Sequence, residues 1–261
     1  MTTETDDTAR STVAVTGATG NQGGATARRL LSAGRPVRAL VRDSSAPAAV
    51  ALAEAGAELA VTGVRQVVFT GVASTTGAAF AAPGKRRTEQ YLRERIGQVT
   101  VLRPVRFMTN YLGVAGVGLD GFTDGVHRHL FPPDEPLQII AVEDIAEFAA
   151  LAFEQPERFA GRTLELAGDA PTPVEAVAAI AAATGRALRY EQIGHDEAAA
   201  LHPGLAEVRR QWAEGHRWRV DIEALRVLHP GLRTLGDWLA WGGATALRAR
   251  FDATGNAGQA V

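Results

Sequence analysis

Apolar and polar residues change period repeatedly along this chain. Ser11 to Thr16 (STVAVT) is a short β-branched run and predicts a strand. It leads straight into Gly17-Ala18-Thr19-Gly20-Asn21-Gln22-Gly23-Gly24. Ala25 to Ala33 then carries apolar residues at helical spacing, closed by Gly34. Pro36 to Val41 predicts a second strand, ended by Arg42-Asp43, and Ala46 to Ala55 a helix stopped by Gly56. This β-turn-α-β-α order opens a doubly wound parallel α/β sheet. The alternation continues with strands at Gln66–Ala73, Val99–Arg103, Leu137–Ala141, Thr163–Leu166 and Leu188–Ile193. Helices are expected at Gly84–Arg95, from an Asp144 cap to about Glu154, and at Pro173–Ala183. Helices fill most of the remainder, broken by His202-Pro203-Gly204 and His229-Pro230-Gly231.

The glycines at 17, 20 and 23 stand in G-x-x-G-x-x-G spacing between a strand and a helix. Such a turn needs positive φ at one position and close backbone approach at another. It leaves helix N-terminal amides open to a pyrophosphate. Gly17, Thr19, Gly20, Asn21, Gln22 and Gly23 are therefore candidate dinucleotide contacts. The end of the second strand selects the cofactor. A carboxylate there accepts from ribose hydroxyls, whereas an arginine pairs with a 2′-phosphate. Arg42 comes first after the strand, which favours NADP over NAD; the alternative is a solvated surface arginine.

Composition narrows the classes. The chain has 261 residues, 46% hydrophobic and 21% charged, with a formal charge of −2. That balance excludes a strongly electrostatic nucleic-acid or membrane-surface protein. Cysteine is absent, so disulfides, thiolate metal sites and thiol nucleophiles are excluded, and a cytoplasmic setting is expected. No apolar run is long enough to span a membrane. Lys85 is the only lysine among 27 lysines and arginines, which singles it out.

Other groupings carry less. His127 and His129 flank Arg128 and share a strand face, but only Asp134 and Glu135 stand near as third ligands, so no metal is expected. His195, Asp196 and Glu197 suit a helix N-terminus. No G-x-S-x-G supports serine hydrolysis. Trp212, Trp218, Trp238 and Trp241 are expected in a core or a helix interface.

The chain resembles the NmrA-like family, a branch of the atypical short-chain dehydrogenase/reductases. The resemblance rests on Val15–Gly23, Val37–Asp43, Val67-Val68-Phe69 with Val72-Ala73-Ser74, and Lys85 with Glu89 and Tyr91-Leu92. It extends to Leu102-Arg103-Pro104 with Phe107-Met108 and Asn110, Val142–Ile145, and His229–Leu232. It implies NAD(P) bound in a Rossmann part, and either reductase chemistry or a regulatory role without chemistry. The corresponding division is a disordered leader at 1–11, a dinucleotide-binding part at 12–135, a smaller α/β C-terminal part at 136–251 and a tail at 252–261.

On this reading Lys85 holds the nicotinamide ribose. Phe107, Met108, Asn110 and Tyr111 line the substrate end of the cleft, or pack between the two parts. The first hypothesis is an NADP(H)-dependent reductase of a small carbonyl or quinone-type acceptor. The second is a non-catalytic NADP(H)-sensing regulator with a protein partner, and a shortened member with an impaired cofactor site is a third.

The chain departs from the pattern twice. Short-chain dehydrogenases use Tyr-x-x-x-Lys, with the tyrosine as proton donor, yet Ala81 stands four residues before Lys85. Solvent or the Ser74 hydroxyl is then the remaining proton source. Second, Glu58–Val61 reaches the next strand through Thr62-Gly63-Val64-Arg65 alone. A parallel crossover takes about 10–12 residues. Either Glu58–Val61 is not a strand, or the two strands form a hairpin, or they are one strand. The expectation adopted is a sheet lacking its fourth strand, with Gln66–Ala73 moved beside the first. A homodimer would cover the edge so exposed.

Overall fold

The computed structural model describes residues 12–41, 43–59, 66–73, 83–113 and 119–257, with the backbone alone at Pro83 and at 254–257. The leader at 1–11, Arg42, Ser74 and Ala81 lie outside the described residues. In chain order the strands are β1 Val13–Thr16, β2 Val37–Leu40, β3 Gln66–Thr70, β4 Gln98–Pro104 and β5 Arg106–Phe107. They continue as β6 Val126–His129, β7 Ile139–Ile140, β8 Thr163–Leu166 and β9 Arg189–Gln192. The helices are α1 Asn21–Ser32, α2 Pro47–Glu54, α3 Pro83–Arg95, α4 Val142–Glu154, α5 Pro156–Phe159 and α6 Pro173–Thr184. They end with α7 His195–Leu201, α8 Pro203–Ala213, α9 Ile222–Leu228, α10 Leu235–Trp238 and α11 Ala244–Ala257.

The elements fall into two units. The first holds Met1–Gly71, Pro83–Arg103 and Val142–Leu164; the second holds Val72–Ala82, Pro104–Ala141 and Glu165–Val261.

In the first unit β1 pairs β2 in parallel, Val13 opposite Val37 and Thr16 opposite Leu40. Val13, Val15, Val37 and Ala39 are buried and pack with Leu30 of α1, Leu52 of α2, and Ala150 and Phe153 of α4. An Arg29–Glu147 ion pair at 2.9 Å ties α1 to α4. β3 pairs β4 in parallel, Gln66 opposite Gln98, and β8 lies on the other side of β4. β4 and β8 run from the first unit into the second.

The expected placement of Gln66–Ala73 beside the first strand is not seen as a hydrogen-bonded pair. Among the described residues β3 is hydrogen-bonded to β4, and its Val68 merely packs against the cluster that contains Val13 and Val15. Among the described residues Glu58 makes an isolated bridge to β2: its N–H donates to Val37 O (2.7 Å) and its carbonyl accepts from Ala39 N (2.8 Å). All five residues of β3 are only half-buried, whereas Val99 to Leu102 of β4 are fully buried. β3 therefore lacks the two-sided cover normal for a parallel strand.

Two helix starts also differ from expectation. α1 begins at Asn21 and takes Gly23 and Gly24 into the helix. Asp144 lies inside the first turn of α4 and is fully buried, so it is not the N-cap.

In the second unit β5 pairs β7 and β6 pairs β9, both in parallel. One core cluster joins Met108, Tyr111, Ile139, Ile180, Trp238 and Leu247. Another joins Leu130, Phe131, Leu137, Ile193 and Trp212. α6 is closed by a full capping box, Thr172 with Glu175, and ends at Gly185 in the left-handed region. Trp218 packs partly buried against the second cluster, but Trp241 is 64% exposed, contrary to the expected core position. It sits at the kink between α10 and α11, next to Gly242, whose backbone is not helical. α11 continues to Ala257, past Asp252, where the sequence suggests a tail.

Candidate functional site

The first turn of the first unit is built from its glycines. Gly17 has φ +63°, a conformation that costs glycine nothing and other residues about a kilocalorie or more. The N–H of Gly20 donates to Gly17 O (2.9 Å) and closes the turn. At Gly23 an added β-carbon would lie 2.6 Å from Gly17 C and 2.9 Å from Thr16 O, so only glycine lets α1 approach the end of β1. Gly20 serves as N-cap with no side-chain cap, and the first turn of α1 carries no acid. The first amides of α1 are thus left for an external anion. Gln22 Nε2 is buried without a hydrogen-bond partner among the described residues. These features fit a dinucleotide pyrophosphate. Thr19 and Asn21 flank the turn and are exposed.

At the end of β2, the Asp43 carboxylate accepts from both the N–H (2.8 Å) and the hydroxyl (2.6 Å) of Ser45. These bonds hold its pKa below the usual carboxylate value. Asp43 is committed to its own turn, and Arg42 beside it lies outside the described residues.

Lys85 lies in the first turn of α3, and its Nζ donates to Gly71 O at 3.1 Å, just past the end of β3. Burial lowers the lysine pKa, and the Glu89 carboxylate one turn on opposes that shift. Glu89 is itself buried, 6% exposed, and held by Arg103 of β4 through Nε–Oε1 (3.2 Å) and Nη2–Oε2 (2.6 Å). In the sequence Glu89 and Arg103 stand out only as parts of the family resemblance. The lysine–glutamate spacing of four on a helix was the available signal.

The four substrate-side candidates belong to the second unit. Met108 and Tyr111 are fully buried in its core cluster, while Phe107 and Asn110 are half-buried. Asn110 Nδ2 donates to Asp120 Oδ2 at 3.4 Å, and Asp120 pairs with Arg106 at 2.6 Å. Ser74 lies outside the described residues.

His127 and His129 point to the same buried side of β6, and Arg128 between them is exposed. His127 Nδ1 lies 2.7 Å from Gly121 O. Among the described residues no group of three or more acidic or histidine ligands could hold a metal ion.

A glycine turn between the first strand and first helix of a parallel α/β unit defines a protein of the Rossmann type. The NmrA-like family model matches residues 9–66 and 62–207, and the chain belongs to that family. The two matched stretches meet at residues 62–66, where the link to β3 is short.

Solved structures agree on the fold. NmrA, a negative transcriptional regulator crystallised with NAD, superimposes with a TM-score of 0.70 at 16% identity, over 95% of this chain and 98% of that one. An NADPH-dependent quinone oxidoreductase from Escherichia coli gives 0.67 at 23% identity, over 87% and 98%. The leucoanthocyanidin reductase–NADPH complex from Vitis vinifera gives 0.67 at 15%, over 89% and 99%. Among the described residues no helix is long and apolar enough to cross a membrane.

Proposed function

We propose that this chain binds NADP(H) at the Gly17–Gly23 turn and reduces a small carbonyl or quinone-type acceptor. The observation that carries the proposal is the turn itself. Gly17 is left-handed, Gly23 is packed against Gly17, and the N-terminus of α1 is without a cap or an acid. That combination exposes aligned amides to a diphosphate. Arg42 supplies the 2′-phosphate contact in this reading, because the neighbouring carboxylate is engaged by Ser45. The NADPH-dependent quinone oxidoreductase and the NADPH complex of leucoanthocyanidin reductase, which share the fold, support it.

When bound, the nicotinamide supplies a hydride. Lys85 contributes an ammonium with one N–H spent on Gly71 O, leaving two directions for the nicotinamide ribose. Phe107 and Asn110, partly exposed in their own unit, are the acceptor-side residues. With alanine at position 81, the proton that completes reduction comes from water or from Ser74.

Calorimetric titration with NADPH and NADH tests the cofactor half. NADPH is expected to bind more tightly, and Arg42→Ala to erase the preference. Turnover of NADPH with a panel of quinones and aldehydes tests the catalytic half.

One observation favours a second reading. The absent tyrosine acid suits a non-catalytic protein that responds to NADP(H) and engages a protein partner, and NmrA shows that the fold serves a regulator. Tight NADPH binding without turnover on any acceptor would select it.

A further inference from the structure

We propose that Glu89, clamped by Arg103 under Gly71, is the positioning residue for Lys85, and that Gly71 is glycine to admit its carboxylate. The inference rests on the dinucleotide reading above, in which Lys85 contacts the nicotinamide ribose.

The geometry comes from three elements of one unit. α3 presents Lys85 and Glu89 four residues apart, on one face. β4 presents Arg103, whose guanidinium grips both carboxylate oxygens. Gly71 follows β3 and donates its N–H to Leu102 O (2.7 Å), one residue before Arg103. A β-carbon at Gly71 would overlap Oε1 of Glu89 and come within 3.4 Å of Arg103 Cγ. The carboxylate thus occupies the space that any other residue at 71 would fill. The carbonyl of the same Gly71 receives the lysine N–H at 3.1 Å.

A buried carboxylate is costly unless it is paired, and here the pair is bidentate. Its second effect is on Lys85. Partial desolvation against Gly71 disfavours the charged lysine, and the negative charge one helical turn away opposes that effect. Arg103 alone would repel the lysine. The buried acid keeps the two cations compatible at the end of β3. Gly71 is not at positive φ, so alanine there is conformationally allowed, and among the described residues its nearest steric demand is on Glu89 and Arg103.

The test uses the single lysine of the chain as a reporter. Protein labelled with ¹³C-lysine gives one Lys85 Cε signal, whose pH titration reports the ammonium directly. Glu89→Gln removes the charge but keeps acceptor and shape. Gly71→Ala keeps all charges and displaces the carboxylate. Both variants are expected to move the Lys85 signal in the absence of nucleotide. The titration midpoint is expected to fall in Glu89→Gln.

Both variants are also expected to weaken NADPH roughly tenfold, the scale of one hydrogen bond to a charged group. Glu89→Gln is expected to add nothing further to Lys85→Ala. A folded variant of either kind with the wild-type lysine signal overturns the proposal, and if Glu89→Gln does not fold, Gly71→Ala decides alone. If both variants move the signal but wild-type protein binds no NADPH, the positioning stands and the dinucleotide reading falls.

Discussion

Gly23 of α1 packs directly on Gly17 of the preceding turn, so closely that a single methyl at position 23 would overlap the Gly17 carbonyl. The contact is backbone against backbone, and no rotamer change can relieve it. Gly23→Ala is therefore expected to push α1 away from β1. Overpacking of this kind costs about 1–3 kcal/mol. Urea unfolding measures the loss of stability, and calorimetry should show NADPH binding lost with it. A variant of unchanged stability and affinity would show that α1 has room to shift.

The second unit holds a buried ion pair, Arg106–Asp120, with side chains 9% and 5% exposed at 2.6 Å. Removing one partner strands the other charge in the interior. Asp120→Ala is expected to destabilise by about 3–5 kcal/mol, and the double replacement Arg106→Leu/Asp120→Leu by less than Asp120→Ala alone. Chemical denaturation of the three proteins gives the comparison. A double variant as unstable as the single one would place the cost in lost packing, including the Arg106 stack on Tyr111, rather than in the unpaired charge.

The glycine turn was legible in the sequence because it is local: strand, glycines and helix follow within a dozen residues. Thr163–Leu166 was legible for the same reason. The partner of Gln66–Thr70 was not, because chain reach bounds which edges a strand can meet and does not choose among them. Nor do period and composition mark the isolated bridge that Glu58 makes to β2 among the described residues. The Lys85 surroundings were half legible. Glu89 shows itself by spacing, whereas Gly71 and Arg103 come from separate strands and are brought in by the fold. Asp144 misled because an acid near a helix start usually caps it, and here it enters the first turn buried.

Trp238 depends on a second glycine contact. A β-carbon on Gly243 would lie 2.6–2.7 Å from the Trp238 ring, at the kink that also carries the exposed Trp241. Gly243→Ala is expected to displace the buried indole, at a cost of about 1–3 kcal/mol. Tryptophan emission should shift to the red, and a Trp241→Phe background removes the exposed indole from the reading. An unshifted spectrum with normal stability would mean that the turn can re-form without the ring contact.

His127 and His129 set the acid limit of the second unit. Both are buried, and burial together with the Arg106 charge pushes His127 down to about 4 and His129 well below its ordinary value. The unfolded chain protonates both near pH 6.5, so below that pH it binds more protons than the folded state. Stability is therefore expected to fall as pH drops from about 6.5 toward 4, by about 1.4 kcal/mol per unit for each histidine. Carboxylates whose values are lowered, such as Glu207 at about 2, add to the slope only as the unfolded chain's acids begin to titrate toward 4.5, at the foot of this window, so the contrast between wild type and variant is read above pH 5.5. His129→Phe removes one group without emptying the space stacked on Phe131 at 4.7 Å. Urea midpoints at pH 7.5, 6.5, 5.5 and 5.0 should fall in wild type, with about half that slope in the variant. An equal slope in both would assign the acid sensitivity to groups other than this pair.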